Sequence, residues 1–214
     1  MKKILLLPLF TLLLLADKDN IIVKISNDMP TVTTKNRGKS VEIKRVQDID
    51  NRLTDDYTKT SRACPPFCIQ STKIEDGIKN IEELELLAFM QNKVSKNRGV
   101  IIDSRLKSWF ELETIPSAIN IPFSTVQNSS KKRIAKIFKI LGMKIKSDGS
   151  WDFSKVKELA FFDNGVWCSQ AKHFIKAILK FNYPKDKLFY YRSGFQGWKL
   201  LGLTTIVHKE ILKK

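Results

Sequence analysis

The chain has few of the residues that build metal centres and disulfide frameworks: of its 214 residues, three are cysteine and two are histidine. It contains no internal repeat and no low-complexity segment, which excludes repeat and fibrous architectures. Acidic residues are also scarce, with 22 Asp and Glu against 38 Lys and Arg. With 43% hydrophobic residues, the chain can still bury a core, which allows one domain, or one domain with a small accessory piece.

The net charge of +16 would suit a nucleic-acid partner, but its distribution favours another interpretation. Lysines are scattered among Asp and Glu along the whole chain, and the one dense basic cluster is residues 131–133. No RNA- or DNA-binding motif accompanies them. We therefore predict a solvated, lysine-rich surface without a nucleic-acid partner, which attracts small anionic substrates.

No apolar run reaches the roughly 20 residues that a membrane-spanning helix needs. Lys2 and Lys3 precede the apolar residues 4–16, which is the layout of a secretory signal peptide. We expect residues 1–16 to be a signal peptide and the mature protein to be periplasmic. Because Leu14 occupies a position where cleavage prefers a small residue, an uncleaved inner-membrane anchor stays open. Only that alternative brings the protein to the membrane.

The three cysteines are Cys64, Cys68 and Cys168, an odd number. In the oxidising compartment that a signal peptide implies, two of them can form a disulfide, and the sequence does not decide which two. A redox role is the alternative to a structural bond. A zinc site that adds His173 has the right number of ligands, but these lie far apart in sequence, so we expect no metal and no cofactor.

Residues 17–77 predict an extension that precedes the main domain. Alternating apolar and polar residues at 21–25 and 41–46 indicate a small β-hairpin, and residues 47–71 lack periodicity, which predicts an irregular, cysteine-containing linker. The main domain, residues 78–210, starts with a helix that we expect Asn80 to cap.

Short apolar runs alternate with amphipathic segments in the main domain. Residues 99–103, 159–163 and 188–191 are typical of strands buried on both faces of a parallel sheet. Such strands, when separated by helices, predict an α/β fold with a parallel sheet and helices on both faces. The predicted helices are residues 80–91, 129–141 and 168–181.

The segment DNGVWCSQ, residues 163–170, joins the second predicted strand to the next helix. Ligands of parallel sheets bind at the carboxyl ends of strands, where the following helix presents free backbone N–H groups. Gly165 permits a tight turn there, and a cysteine in such a cradle has a lowered pKa. Cys168 is therefore a candidate reactive thiol. The alternative is a small apolar side chain packed under the loop.

Two segments of the main domain resemble the rhodanese family. The string IIDSRLKSWFELETIPSAINIPFS, residues 101–124, is similar to the rhodanese segment that contains a strand, an Asp-x-Arg and an Ile-Pro-Gly-Ala-Ile-Asn-Ile-Pro run. The string YYRSGFQGWKLLGLTT, residues 190–205, resembles the terminal Gly-Gly-Phe-x-x-Trp segment. This resemblance implies a rhodanese-like fold. It also implies transfer of a sulfane sulfur from thiosulfate or polysulfide, through an enzyme thiolate, to a thiol or cyanide.

A narrower resemblance is to exported bacterial rhodanese-like proteins with a Cys-Pro-Pro-Phe-Cys extension, here residues 64–68, and a Cys-Asn-Gly-Pro-Trp-Cys loop. In that subgroup the first loop cysteine lies at the strand end where rhodaneses hold the persulfide. This chain has Asp163 there, and Val166 replaces the proline. A carboxylate cannot hold a persulfide. The resemblance therefore leaves Cys168 as the one loop thiol for sulfur chemistry.

Three functions remain open at this point. They are sulfur transfer through Cys168, a catalytically silent binding or regulatory module, and thiol–disulfide chemistry that includes Cys64 and Cys68. The expected partner is a small anionic sulfur compound or a periplasmic protein thiol. Cys168 and Asp163 form the centre of the predicted site. Its other members are Asp103, Arg105 and Arg192 near strand ends and, in the loop, Asn164, Gly165, Val166, Trp167, Ser169 and Gln170.

Overall fold

The computed structural model describes residues 22–208. The expected signal peptide, residues 1–16, lies outside the described residues. In chain order the strands and helices are β1 (Thr31–Asn36), β2 (Lys39–Lys44), β3 (Lys79–Ile81), α1 (Glu83–Phe89), β4 (Gly99–Asp103), α2 (Lys107–Leu112), β5 (Glu113–Thr114), β6 (Ala118–Asn120), α3 (Lys131–Ile140), β7 (Lys144–Ile145), β8 (Trp151–Asp152), β9 (Glu158–Phe162), α4 (Gln170–Leu179), β10 (Leu188–Tyr191), α5 (Gly194–Leu200) and β11 (Ile206–Val207).

The centre of the fold is a five-stranded parallel sheet with the strand order β3-β10-β9-β4-β6. Successive residues of a strand point to opposite faces, and both faces are covered. Phe162 of β9 packs in a core with residues of α1 and α5, whereas Phe161 packs in a second core with residues of α3 and α4. The predicted α/β fold with helices on both faces is confirmed. Burial on both faces explains why the three central strands, β4, β9 and β10, are mostly apolar.

The first helix of the main domain begins later than the sequence predicted. Asn80 caps no helix, because it lies in β3, where it pairs with Tyr190 of β10. The helix α1 begins at Glu83, and the side chains of Glu82 and Glu85 form its capping box. Pairing at the edge of the sheet decides the conformation of Asn80, and no local signal reports a partner that is more than 100 residues away.

The N-terminal extension contains a small antiparallel hairpin, β1 and β2, as predicted. Its first strand was expected at residues 21–25, and that position is wrong. Residues 22–25 hold no strand, and the Ile25 N–H instead donates to the Met29 carbonyl in a tight turn. Val32 and Ile43 of the hairpin are buried in the same core as residues of α1 and α5, so the hairpin belongs to the core on that face of the main sheet.

No helix within residues 22–208 is both long enough and apolar enough to cross a membrane.

Candidate functional site at the carboxyl ends of β4 and β9

Asp163 lies directly after β9, at the carboxyl end of the sheet, and its side chain is completely buried. One carboxylate oxygen accepts the Gly165 N–H at 3.2 Å, and the other accepts the Ala171 N–H, in the first turn of α4, at 2.9 Å. Backbone N–H groups at a helix N-terminus have no partner within the helix. The carboxylate of this chain therefore occupies the amide cradle that the sequence predicted for a ligand.

Burial raises the pKa of Asp163 to about 7, because desolvation penalises the ionised form. The N–H groups of Ala171 and Gly165 oppose this shift, as do a hydrogen bond with the Cys168 thiol and the charge of Arg105. Desolvation outweighs these contacts. Near neutral pH the protonated form of Asp163 is therefore more populated than it is for an exposed carboxyl group.

Cys168 precedes α4, and only 4% of its surface is exposed. Its sulfur accepts a weak hydrogen bond from Asn164 Nδ2 at 3.7 Å. Burial, followed by the negative charge of Asp163, raises the pKa of the thiol to about 12. The helix N-terminus suggested a lowered pKa, but desolvation and the adjacent carboxylate have the larger effect. The structure thus places Cys168 under the loop as a protonated, inaccessible thiol.

Asp103 and Arg105, at the carboxyl end of β4, form a buried ion pair. Arg105 Nε and Nη2 donate to the two Asp103 carboxylate oxygens at 2.9 and 2.6 Å, and Thr114 Oγ1 donates to Asp103 at 2.8 Å. The guanidinium also lies 4.2 Å from the centroid of the Phe195 ring. These contacts satisfy the pair inside the protein, so Arg105 presents no free charge to a ligand.

Tyr57 links this ion pair to the loop, although it is not among the site residues predicted from the sequence. Its hydroxyl accepts Arg105 Nη1 at 3.0 Å and donates to Asn164 Oδ1 at 2.8 Å. Gln196 Nε2 donates to the Tyr57 carbonyl, and Gln196 Oε1 accepts Trp167 Nε1, both at 2.7 Å. One signal was available, because Tyr57 is the single aromatic residue in the polar stretch 47–66.

Residues 55–71, here called the strap, lie across the loop. The Gln70 N–H donates to the Val166 carbonyl at 2.8 Å, and Arg192 Nη2 donates to the Gln70 carbonyl at 2.7 Å. The Arg62 guanidinium lies 3.9 Å from the Trp167 ring centroid, and the Phe67 ring packs edge-on against Trp167. Arg192 was expected only as a supporting residue of the site near a strand end. Its guanidinium holds the strap.

The strap and the loop together line a groove of about 890 Å³, here called the loop groove. Its exposed apolar side chains are Phe67, Ile69 and Leu200, of which 41%, 81% and 64% are accessible. Lys59 and Arg62 line it as well, and none of the described residues that line it is a carboxylate. The groove is therefore apolar with a positive charge.

Cys64 and Cys68 form a disulfide within the strap, and Cys168 is free. This pairing decides which two of the three cysteines form the disulfide. Among residues 22–208, no group of three or more His, Cys, Asp or Glu residues could hold a metal ion.

A family model for the rhodanese-like domain matches residues 85–201. A search of curated proteins finds no match to the chain. Among solved structures, a Lactobacillus plantarum protein is 19% identical, with a TM-score of 0.42, over 59% of this chain and 86% of its own. The human single-domain sulfurtransferase is 15% identical, with a TM-score of 0.38, over 56% and 95% of the two chains. The As–Sb reductase from Leishmania major is 21% identical, with a TM-score of 0.40, over 58% and 79%.

The matched residues run from α1 to the end of α5 and contain the loop, Asp163 and Cys168. Because the family model spans more than half of the chain, the protein belongs to the rhodanese-like domain family.

Proposed function

We propose that the protein is a catalytically silent rhodanese-like module that binds a polypeptide partner in the loop groove. The observation that carries this proposal is the buried Asp163, which fills the amide cradle with a carboxylate of the chain itself. The resemblance to rhodaneses places a persulfide-bearing cysteine at that position. A carboxylate cannot form a persulfide. The Gly165 and Ala171 N–H groups already donate to Asp163, so they are not free to bind an anionic sulfur donor.

The free thiol does not replace the missing one. Because its pKa is raised to about 12, Cys168 is protonated at neutral pH. The thiolate is the nucleophile in sulfur transfer, and Cys168 is also buried. Both the protonation and the access of Cys168 therefore support a silent loop.

The loop groove supports a polypeptide as the ligand. Exposed Phe67, Ile69 and Leu200 offer an apolar surface, and Lys59 and Arg62 add positive charge without a carboxylate in the lining. An extended segment that combines apolar and acidic side chains matches both properties. We take such a segment, in a periplasmic protein, as the partner.

The exported location belongs to the same proposal. It rests on the signal-peptide pattern of residues 1–16 and on the resemblance of residues 64–68 and of the loop to exported bacterial rhodanese-like proteins. The disulfide in the strap suits an oxidising compartment. We place the rhodanese-like domain at residues 78–210 and treat residues 17–77 as its extension.

Sulfur transfer through Cys168 is the second candidate, and one contact favours it. The thiol hydrogen-bonds with the Asp163 carboxyl, whose pKa of about 7 suits a general base at neutral pH. In that case a small anionic sulfur compound would be the donor and a protein thiol the acceptor.

Two measurements test the proposal. The purified chain is incubated with thiosulfate or polysulfide and its intact mass is measured; we expect no added sulfur, and a sulfur adduct on Cys168 would establish the second candidate.

Binding of an acidic, apolar peptide is then measured by calorimetry. We expect Ile69→Glu to abolish binding. Ile140→Glu, the same substitution at the exposed C-terminal end of α3, should leave binding unchanged. Equal effects of the two substitutions would refute the groove as the binding site.

A further inference from the structure

The disulfide of the strap is accessible at the rim of the loop groove. Cys64 is exposed and Cys68 is half-buried, and both line the groove beside Phe67 and Val166. Disulfides of this kind, open to an attacking thiolate, exchange more readily than buried ones. Cys168 differs in both respects, because it is buried and protonated. The reactive sulfur of this protein is therefore in the strap rather than in the loop.

The charges around the groove favour release of a thiolate. Lys59 and Arg62 line it, and neither forms an ion pair with another residue in the range 22–208. Arg62 Nε is buried without a hydrogen-bond partner. Positive charge lowers the pKa of a nearby thiol, and a leaving thiol with a lower pKa departs faster.

Exposed apolar side chains beside the disulfide can bind the polypeptide that reacts with it. Phe67 belongs to the five-residue ring that the disulfide closes, and Ile69 follows that ring directly. A polypeptide that packs on these two side chains lies in the groove that Cys64 also lines. Binding and exchange would thus use one surface.

We infer that the Cys64–Cys68 disulfide is a thiol–disulfide exchange site, which oxidises a pair of cysteines in the acidic, apolar polypeptide that binds in the loop groove. The inference rests on the proposed function, because it takes the same partner and names its reacting group. It adds an activity to a domain whose loop is silent.

The exchange balances without another reactant. A partner thiolate attacks the Cys64 sulfur, the bond to Cys68 breaks, and its electron pair leaves on Cys68 as a thiolate. The second partner thiolate attacks the partner sulfur of this mixed disulfide, and Cys64 leaves as the second thiolate. Two electrons and two protons pass from the partner dithiol to this disulfide. The partner gains one disulfide, and the strap gains two thiols.

The test uses the full oxidised chain and a synthetic peptide with two cysteines among apolar and acidic residues. A comparison peptide has Lys in place of each acidic residue. We expect the acidic peptide to be oxidised at least about tenfold faster than the basic one, because opposite charges speed encounter. One peptide disulfide should form per chain. Mass spectrometry after alkylation should find label at Cys64 and Cys68 and none at Cys168.

The variant Lys59→Gln should reduce the preference for the acidic peptide severalfold, whereas Lys132→Gln, on α3, should not change it. Equal, slow oxidation of both peptides would overturn the inference. So would a disulfide that is reduced only when the protein unfolds. In either case the disulfide has a structural role alone.

A third peptide, with Ser in place of both cysteines, separates this inference from the proposed function. If it binds the oxidised chain while the dithiol peptide is not oxidised, the exchange activity is refuted and the binding module stands. If it does not bind, both are refuted.

Discussion

Replacing Asp163 by Asn tests whether burial controls the charge in the loop. Asn has the same shape, but it does not titrate. In the folded protein the pKa of Asp163 is raised from 3.8 to about 7, a difference of about 3 units. At about 1.4 kcal/mol per unit, this corresponds to about 4 kcal/mol of stability that depends on pH. Because Asp163 is completely buried, solvent does not reduce this figure.

The sign follows from the direction of the shift. A carboxyl group with a raised folded-state pKa favours the protonated, folded form, so its contribution is complete below the unfolded pKa of 3.8. As the pH rises, the unfolded chain ionises first, and the contribution is lost progressively until the pH passes about 7. Above that pH, both states are ionised and the loss is complete.

The assay is urea unfolding of the wild type and of Asp163→Asn at a series of pH values from about 4 to about 8. We expect the wild-type free energy of unfolding, minus that of the variant, to fall by up to about 4 kcal/mol between about pH 4 and pH 7 and then to level off. A hydrogen bond that Asn cannot form adds an offset that does not depend on pH. Asp148→Asn is the control, because Asp148 is fully exposed and Ser150 holds its pKa low. A difference that stays constant, or rises with pH, would refute the dominance of burial over the two N–H bonds.

Three further predictions concern the surroundings of the loop. Arg105→Leu leaves Asp103 buried and unpaired, so it should reduce the free energy of unfolding by about 3–5 kcal/mol; a loss below about 1 kcal/mol in urea unfolding would contradict this. Gly194→Ala should lower stability by more than about 2 kcal/mol, because φ is +59° and an added Cβ would lie 2.7 Å from the Asp163 carbonyl oxygen. If that variant is as stable as the wild type in urea unfolding, the backbone adjusts without cost and the prediction is wrong. The native protein should show no thiol that reacts with an aromatic disulfide reagent, and denaturant alone should expose one, Cys168, whereas rapid labelling of the native protein would contradict its burial.

Much of the fold was predictable because its signals are local. The mostly apolar strands β4, β9 and β10 were visible in the sequence within one residue of their observed bounds. The helix α3 was recognisable from its spacing, and Ser130 caps it through a hydrogen bond from the Arg133 N–H. In these patterns, the buried residues recur at the spacing of a helix or form a continuous apolar run. They need no knowledge of which element packs on which.

The errors occurred where a distant partner decides the conformation. Asn80 has the residue type of a helix cap, but pairing with β10 makes it part of a strand. Residues 22–25 alternate like a strand, but residues 26–29 turn the chain there. The polar linker gave no sign that Tyr57 would reach both Arg105 and Asn164. In each case the deciding interaction is with a residue far away in sequence, or it is a turn that the hydrophobic periodicity does not show.

The sequence by itself predicted an α/β chain from residue type and short-range spacing, and its resemblance to rhodaneses implied a loop in which Asp163 stands where they hold a cysteine. Only the tertiary structure decided what the loop can do. It buries Asp163 and Cys168, and desolvation then raises both pKa values against the effect of the nearby N–H groups. It also pairs Cys64 with Cys68 at an open groove. Burial and access depend on all the surrounding elements, which no segment of the sequence specifies alone.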